Sequence, residues 1–333
     1  MERFRGLFFG EAIGDALGMP LEHVTRAEAC RYYGTTDVMD FLEPHPNTAA
    51  GIHGLSRGQY TDDTAMTLAT AEAIVVSRAV DIKAIADALL QWHQGNASSR
   101  YQGHTTRLAL ERYARTRDPL TCGVNGSGCG AAIRIAPVAA ALSLATNGFD
   151  EAVDLVAGIT HLTPTALDGA RCMAHMVVGL LNGESPSQLL CALPAVVRSD
   201  EFKTKLETVK FVLARGYDAR RATAVIGNTV MACEAVPLAL WFFVRFTSSF
   251  AEGVTGGASA IGDNGGDTDS IAAMTGTLLG THLGAGAIPE GWMNAVEDRS
   301  KIEDLARAVY SLVAKGPVEV VSPLTSRDLK EDN

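Results

Sequence analysis

Gly6-Leu7-Phe8-Phe9-Gly10-Glu11-Ala12-Ile13-Gly14-Asp15-Ala16-Leu17-Gly18 places a glycine at every fourth position of a helical run. A single glycine inside a helix costs about 1 kcal/mol relative to alanine. Repeating that cost along one face makes sense if another backbone must approach closely. Gly276, Gly280 and Gly284 repeat the spacing in a second apolar stretch. Both helices are therefore expected at the centre of the fold; the competing explanation is filler of low helix propensity.

Working outward, helical periodicity dominates the chain. It predicts helices at about Phe4–Leu17, Asp63–Ser77, Ile82–His93, Thr105–Thr116, Gly130–Leu144, Asp150–Ile159, Pro164–Leu181, Glu201–Ala214, Asp218–Ile226, Cys233–Phe246, Ser270–Leu283 and Ile302–Val313. Alternating strand patterns are almost absent, Val318–Val321 being the best of a weak set. The expected class is all-α. No composition break marks a linker, so residues 1–321 read as one domain, and the polar residues 322–333 as a C-terminal tail.

Apolar residues make up 47% of the chain, ample for a sizeable core, and the scarcity of aromatics suits closely packed helices of small residues. The formal net charge of -10 argues against a nucleic-acid surface, which needs clustered Lys and Arg. Among the six cysteines (Cys30, Cys122, Cys129, Cys172, Cys191, Cys233) none has C-x-x-C spacing, so a zinc ribbon is not indicated and reduced cytoplasmic thiols are expected. The first amphipathic run carries Glu11 and Asp15, which a secretory apolar segment would not. Ile271–Ile288 is short and holds His282, so it reads as a buried helix and not a membrane span.

Two clusters of hard oxygen ligands stand at expected helix starts. The first is Thr61-Asp62-Asp63. Neighbours diverge by roughly 100° inside a helix, but at a helix entrance the backbone bends and all three can face one point. Acids there also gain about 0.3–1 kcal/mol from the helix dipole, so capping and decoration of a first turn is the plain explanation for this cluster taken alone. The second is Asp267, Asp269 and Ser270, entered through Gly265-Gly266 and followed at once by the apolar glycine-striped segment. Acids so placed should be interior, and buried carboxylates are costly unless protonated or paired with cations. No Lys or Arg lies within fifteen residues on either side. A metal is the natural counter-ion, and carboxylate, hydroxyl and water ligands suit Mg²⁺ or Mn²⁺ over zinc. Glu22, just beyond Pro20 and the first striped helix, becomes a further ligand or a general acid/base if that helix end meets the two clusters. Asp15 is expected to be a buried hydrogen-bonding residue.

Gly10-Glu11-Ala12-Ile13-Gly14-Asp15-Ala16-Leu17-Gly18, Thr61-Asp62-Asp63-Thr64 and Gly265-Gly266-Asp267-Thr268-Asp269-Ser270, in this order, resemble the ADP-ribosylglycohydrolase family, the group that includes the dinitrogenase reductase-activating glycohydrolase. The likeness runs from near residue 5 to near residue 285. It implies a compact, orthogonal all-α domain with a dinuclear cleft holding two Mg²⁺ or Mn²⁺ ions. The implied metal ligands are Glu22, Thr61, Asp62, Asp63, Asp267, Asp269 and Ser270, the last standing where threonine is usual. Gly126-Ser127-Gly128-Cys129-Gly130-Ala131-Ala132-Ile133-Arg134 resembles the family segment Gly-Asn-Gly-Ala-(Ala/Met)-Arg, with Cys129 in place of the asparagine, and Thr160-His161 resembles the family's Thr-His near the ligand. Ser127, Gly128, Gly130 and His161 are thereby candidate substrate-binding residues. The bland alternatives are helix punctuation for the loop and a structural role for the histidine. Members active on ADP-ribosyl-arginine often carry Phe-Asp-Ile-Gly, where this chain reads Arg100-Tyr101-Gln102-Gly103 and lacks the acid.

The resemblance implies a metal-dependent hydrolase that cleaves the glycosidic bond of an ADP-ribosyl group on a protein or small-molecule acceptor. Glu22, Asp62 and Asp269 are the candidates for moving protons. Two alternatives remain from the departures at Tyr101 and Cys129. One is a hydrolase of another ribosylated nucleoside or metabolite; the other is a non-catalytic ADP-ribose-binding protein on the same scaffold. No nucleic-acid or membrane partner is expected.

Overall fold

The computed structural model describes residues 1–96 and 100–323. Of the expected polar tail, residues 324–333 lie outside the described residues. The architecture is all-α. Two helices, Glu2–Gly18 and Thr268–Leu283, run antiparallel through the middle, and nearly every residue of each is buried. Their register follows from the glycine spacing. A Cβ on Gly6 would lie 2.0 Å from the Gly280 carbonyl oxygen, and one on Gly10 2.1 Å from that of Gly276. One on Gly14 would lie 2.1 Å from the Ala272 oxygen, and one on Gly18 2.2 Å from that of Thr268. Backbone meets backbone along the whole seam, so the stripe is a contact surface and not filler.

Helices Asp62–Ser77, Arg299–Val313, Ala232–Arg245 and Phe250–Ala258 pack around this pair, and Pro164–Leu181 extends the bundle. A continuous hydrophobic core runs from Phe4 to Val318. The strands are Val80–Asp81 and Val320–Val321, two residues each, paired in parallel. No helix among the described residues is long and apolar enough to cross a membrane.

Most predicted helices agree with those observed to within about three residues at each end. One does not. The expected Gly130–Leu144 helix is two short helices, Gly130–Ile133 and Ala136–Ala141. Pro137 is the cause: it has no N–H to give to the Ile133 carbonyl and its ring clashes with that group. Several shorter helices carry no long apolar period, and periodicity does not predict them. Arg26–Tyr33 has a legible start all the same, because Thr25 and Glu28 form a reciprocal capping box. Phe250–Ala258 has three glycines, which dilute the periodicity; Gly257 packs against Ala272 of the central helix.

The seam supplies a stability prediction. Gly276→Ala would drive a Cβ to 2.0 Å from the Gly10 carbonyl oxygen. It should destabilise the protein by about 1–3 kcal/mol or more, as overpacking does. Gly291→Ala, in a helix with nothing within 4 Å of the new Cβ, should be neutral or slightly stabilising. Denaturant titration of the two variants checks the contrast; equal midpoints would remove the close-approach explanation.

Candidate metal centre

The seam decides where three stretches of chain meet. The antiparallel pairing sets the C-terminal end of Glu2–Gly18 against the N-terminal end of Thr268–Leu283, and the Thr268 hydroxyl donates to the Gly18 carbonyl at 2.8 Å. Past Gly18 a 3₁₀ turn, Met19–Leu21, delivers Glu22. The His23 N–H donates to the Gly266 carbonyl at 2.8 Å. Gly265 permits this contact: its φ is +88° and a Cβ there would fall 2.8 Å from the His23 oxygen. The third stretch is tied down by Asp15, buried on the first helix. Its carboxylate accepts from the Thr61 N–H at 3.0 Å, the Thr64 N–H at 3.0 Å and the Thr64 hydroxyl at 2.6 Å. One central helix therefore anchors the entrance of Asp62–Ser77 through Asp15 and carries Glu22 at its end.

Glu22, Asp62, Asp63, Asp267, Asp269 and Ser270 line one cleft of about 430 Å³. All six are buried. Ligand oxygens of Glu22, Asp267 and Asp269 lie within 4.8 Å of one another. Ser270 Oγ donates to Asp63 Oδ2 at 2.9 Å, and the Gly103 N–H donates to Asp62 Oδ2 at 3.2 Å. Thr61 is buried but does not line the cleft; its hydroxyl oxygen accepts from the Asp63 N–H at 3.2 Å.

The electrostatics are severe. Burial, followed by the charge of neighbouring acids, pushes the carboxyls of Glu22 and Asp63 well above the usual range. Burial and then Asp269 raise Asp267 likewise, and burial raises Asp269. Asp62 is pushed up to about 8, again chiefly by burial. The basic side chain nearest the cluster among the described residues is His23, whose Nε2 lies 3.4 Å from Glu22 Oε1. Asp269 Oδ1 is buried and has no hydrogen-bond partner. A set of converging oxygen donors, one of them orphaned, fits hard divalent cations. The soft atom at the site is Cys129 Sγ, which donates to Asp267 Oδ2 at 3.1 Å and whose proton is held tightly by burial.

The facing wall is the 124–130 loop, fastened on two sides. Val124 N–H donates to the Thr160 carbonyl at 3.1 Å and Thr163 Oγ1 to the Gly126 carbonyl at 2.8 Å. On the other side the Cys129 N–H donates to the Val230 carbonyl at 3.0 Å, and the Ala232 N–H to that of Ser127 at 2.8 Å. Ser127, Gly128, Gly130 and His161 all line the cleft. The Cys129 N–H is thus committed to Val230 and is not a free anion donor.

Tyr101, His104, Thr105, Thr106, Val230 and Met231 also line the cleft and are not legible in the sequence as site residues. Val230 and Met231 carry no signal at all: an antiparallel bridge between Gly128 and Met231 brings them in from a distant segment. The sequence marks Tyr101 only as the place where an acid is missing. Its neighbour Arg100 is turned away from the cleft, donating to the Tyr60 carbonyl and pairing with Glu297 at 2.7 Å.

A sequence profile described as ADP-ribosylglycohydrolase matches residues 1–318. The chain is 27% identical to the ADP-ribosyl-[dinitrogen reductase] glycohydrolase of Rhodospirillum rubrum, covering 94% of this chain and 96% of that one. It is 27% identical to the ADP-ribosylarginine hydrolase Tri1 of Serratia proteamaculans, over 93% of this chain and 79% of the relative. A solved structure of an ADP-ribosylglycohydrolase-related protein complex superposes with a TM-score of 0.76 at 29% identity, covering 93% of this chain and 98% of the other.

Proposed function

The chain belongs to the ADP-ribosylglycohydrolase family, a group of glycosidic-bond hydrolases, and from that premise we propose that it uses two Mg²⁺ or Mn²⁺ ions to release ADP-ribosyl groups from a modified acceptor. The observation that carries this reading is the convergence of Glu22, Asp62, Asp63, Asp267, Asp269 and Ser270 on one cleft whose other wall is the Ser127–Gly130 loop and His161. Ions held there would orient the ribose hydroxyls and polarise the reacting centre. The buried carboxylates would hold those ions, with Thr61 behind Asp63. The loop and His161 hold the anionic remainder of the substrate. Glu22 is the foremost candidate for moving a proton at the leaving atom, with Asp62 and Asp269 as competitors. The bond cleaved develops oxocarbenium-like positive charge, which an acidic wall tolerates.

Tyr101 bears on the acceptor. A phenol lines the cleft in the stretch where arginine-specific members carry an acid, and Arg100 is pinned elsewhere. This favours an uncharged leaving group over a guanidinium, because a cation would find no acid from this loop. The test is release of ADP-ribose from O-linked seryl and N-linked arginyl donors, with Mg²⁺ and Mn²⁺ supplied in turn. Divalent-dependent release with the O-linked donor preferred is the expected result. Full activity after EDTA treatment would remove the metal from the proposal. Binding of ADP-ribose without release from any donor would leave only a binding protein.

A further inference from the structure

Arg134 is wholly buried at 0% exposure, and no carboxylate pairs with it among the described residues. Its Nη1 donates to the Gly130 carbonyl at 3.0 Å and its Nη2 to Thr160 Oγ1. Thr160 Oγ1 lies 2.7 Å from His161 Nδ1. An arginine can only donate. Thr160 must therefore accept from it, which leaves the hydroxyl proton for a second partner. Among the described residues the other atom in reach is His161 Nδ1. If Nδ1 carried a proton instead, the threonine proton would be buried without an acceptor, at the desolvation cost of an orphaned donor. The neutral ring must then hold its proton on Nε2. That edge faces the glycine turn: the Cβ positions of Gly128 and Gly130 lie 3.6 Å and 3.8 Å from Nε2. Nε2 makes no hydrogen bond among the described residues, and His161 lines the cleft. Burial and the Arg134 charge both keep the ring neutral.

We propose that Arg134 is a positioning residue that acts through Thr160: it locks His161 in the Nε2–H tautomer, so that the cleft always presents a hydrogen-bond donor beside the Ser127–Gly130 loop. The ligand atom it serves is an oxygen, of the phosphate type that this wall would meet. That last point rests on the glycohydrolase reading; the tautomer does not.

The test uses the full chain labelled with ¹⁵N-histidine. Two-bond ¹H–¹⁵N spectra of the ligand-free protein at neutral pH, with His161 assigned by its loss in His161→Gln, should show the Nε2–H form. Thr160→Val should release the lock and give a mixture or the Nδ1–H form. It should also weaken ADP-ribose binding about tenfold, the value of one charge-assisted hydrogen bond. Thr160→Ser should restore both readouts. An Nδ1–H ring in the parent protein, or an unchanged tautomer in Thr160→Val, overturns the relay. Should Thr160→Val not fold, an Nδ1–H ring in the parent still overturns the relay. A parent that shows the Nε2–H ring yet does not bind ADP-ribose supports the relay and counts against the glycohydrolase reading, so the two failures are distinguishable.

Discussion

Asp269→Ala should lower divalent-dependent turnover by about 10³-fold or more, equivalent to roughly 4 kcal/mol of lost transition-state stabilisation, while leaving the metal-free protein as stable as the parent or more so. The two signs come from one geometry. Asp269 lies in the first turn of the Thr268–Leu283 helix, buried, with Oδ1 lacking any partner and its ligand oxygen within 4.8 Å of those of Glu22 and Asp267. Removing one of the converging oxygen donors leaves a cation short of the charge it needs. In the metal-free protein the same carboxylate chiefly adds burial cost and raises the charge burden on Glu22 and Asp267, against which it keeps hydrogen bonds to the Ser270 backbone and the Asp267 side chain. Its contribution to the helix dipole, about 0.3–1 kcal/mol, is the smaller effect. Hydrolysis kinetics, Mn²⁺ calorimetry and thermal melting in EDTA measure the three quantities. Parent-like metal affinity in Asp269→Ala would show that this carboxylate is no ligand. A lower melting point in EDTA would mean that the loss of activity is a loss of fold.

The metal-free protein should melt at a temperature on the order of 10 °C lower at pH 8 than at pH 5, and millimolar Mg²⁺ or Mn²⁺ should abolish or reverse that slope. Burial pushes Asp62 up to about 8 and Asp15 to about 6, Asp15 also feeling Asp269. In the unfolded chain an aspartate titrates near 3.9. Between those values the folded state binds more protons than the unfolded one, so stability is greatest at low pH and falls as pH rises through the folded values. Moving a titration midpoint by one pH unit corresponds to about 1.4 kcal/mol. Coupling among the acids spreads the effect, so the window from pH 5 to 8 is worth on the order of 5 kcal/mol, or roughly 10 °C. A bound divalent cation favours the deprotonated carboxylates and competes with protons, which opposes the slope. Melting curves across pH in EDTA and in added metal settle it. A metal-free protein that gains stability between pH 5 and 8 would mean the cluster is not buried as a group of like charges.

Much of this is written locally. The four-residue glycine spacing at Gly6–Gly18 and Gly276–Gly284 announces two helices whose backbones touch, because nothing else repays the propensity lost at each glycine. The ligand types are legible too: Thr61-Asp62-Asp63 and Asp267-Thr268-Asp269-Ser270 are hard donors at helix entrances with no cation near in sequence. The break at Pro137 and the capping box at Thr25 and Glu28 are local as well, but apolar periodicity alone does not show them.

Other features have no local trace. Helical period and ligand type are properties of neighbours along the chain, and the amino-acid order determined them. That Glu22 meets Asp269, that Asp15 grips the 61–64 turn, that Val230 and Met231 wall the cleft and that Arg134 reaches His161 through Thr160 depend on how distant helices register against one another. Only the packed tertiary structure decided those, because each joins segments far apart along the chain, and no one segment's own preferences set how they meet.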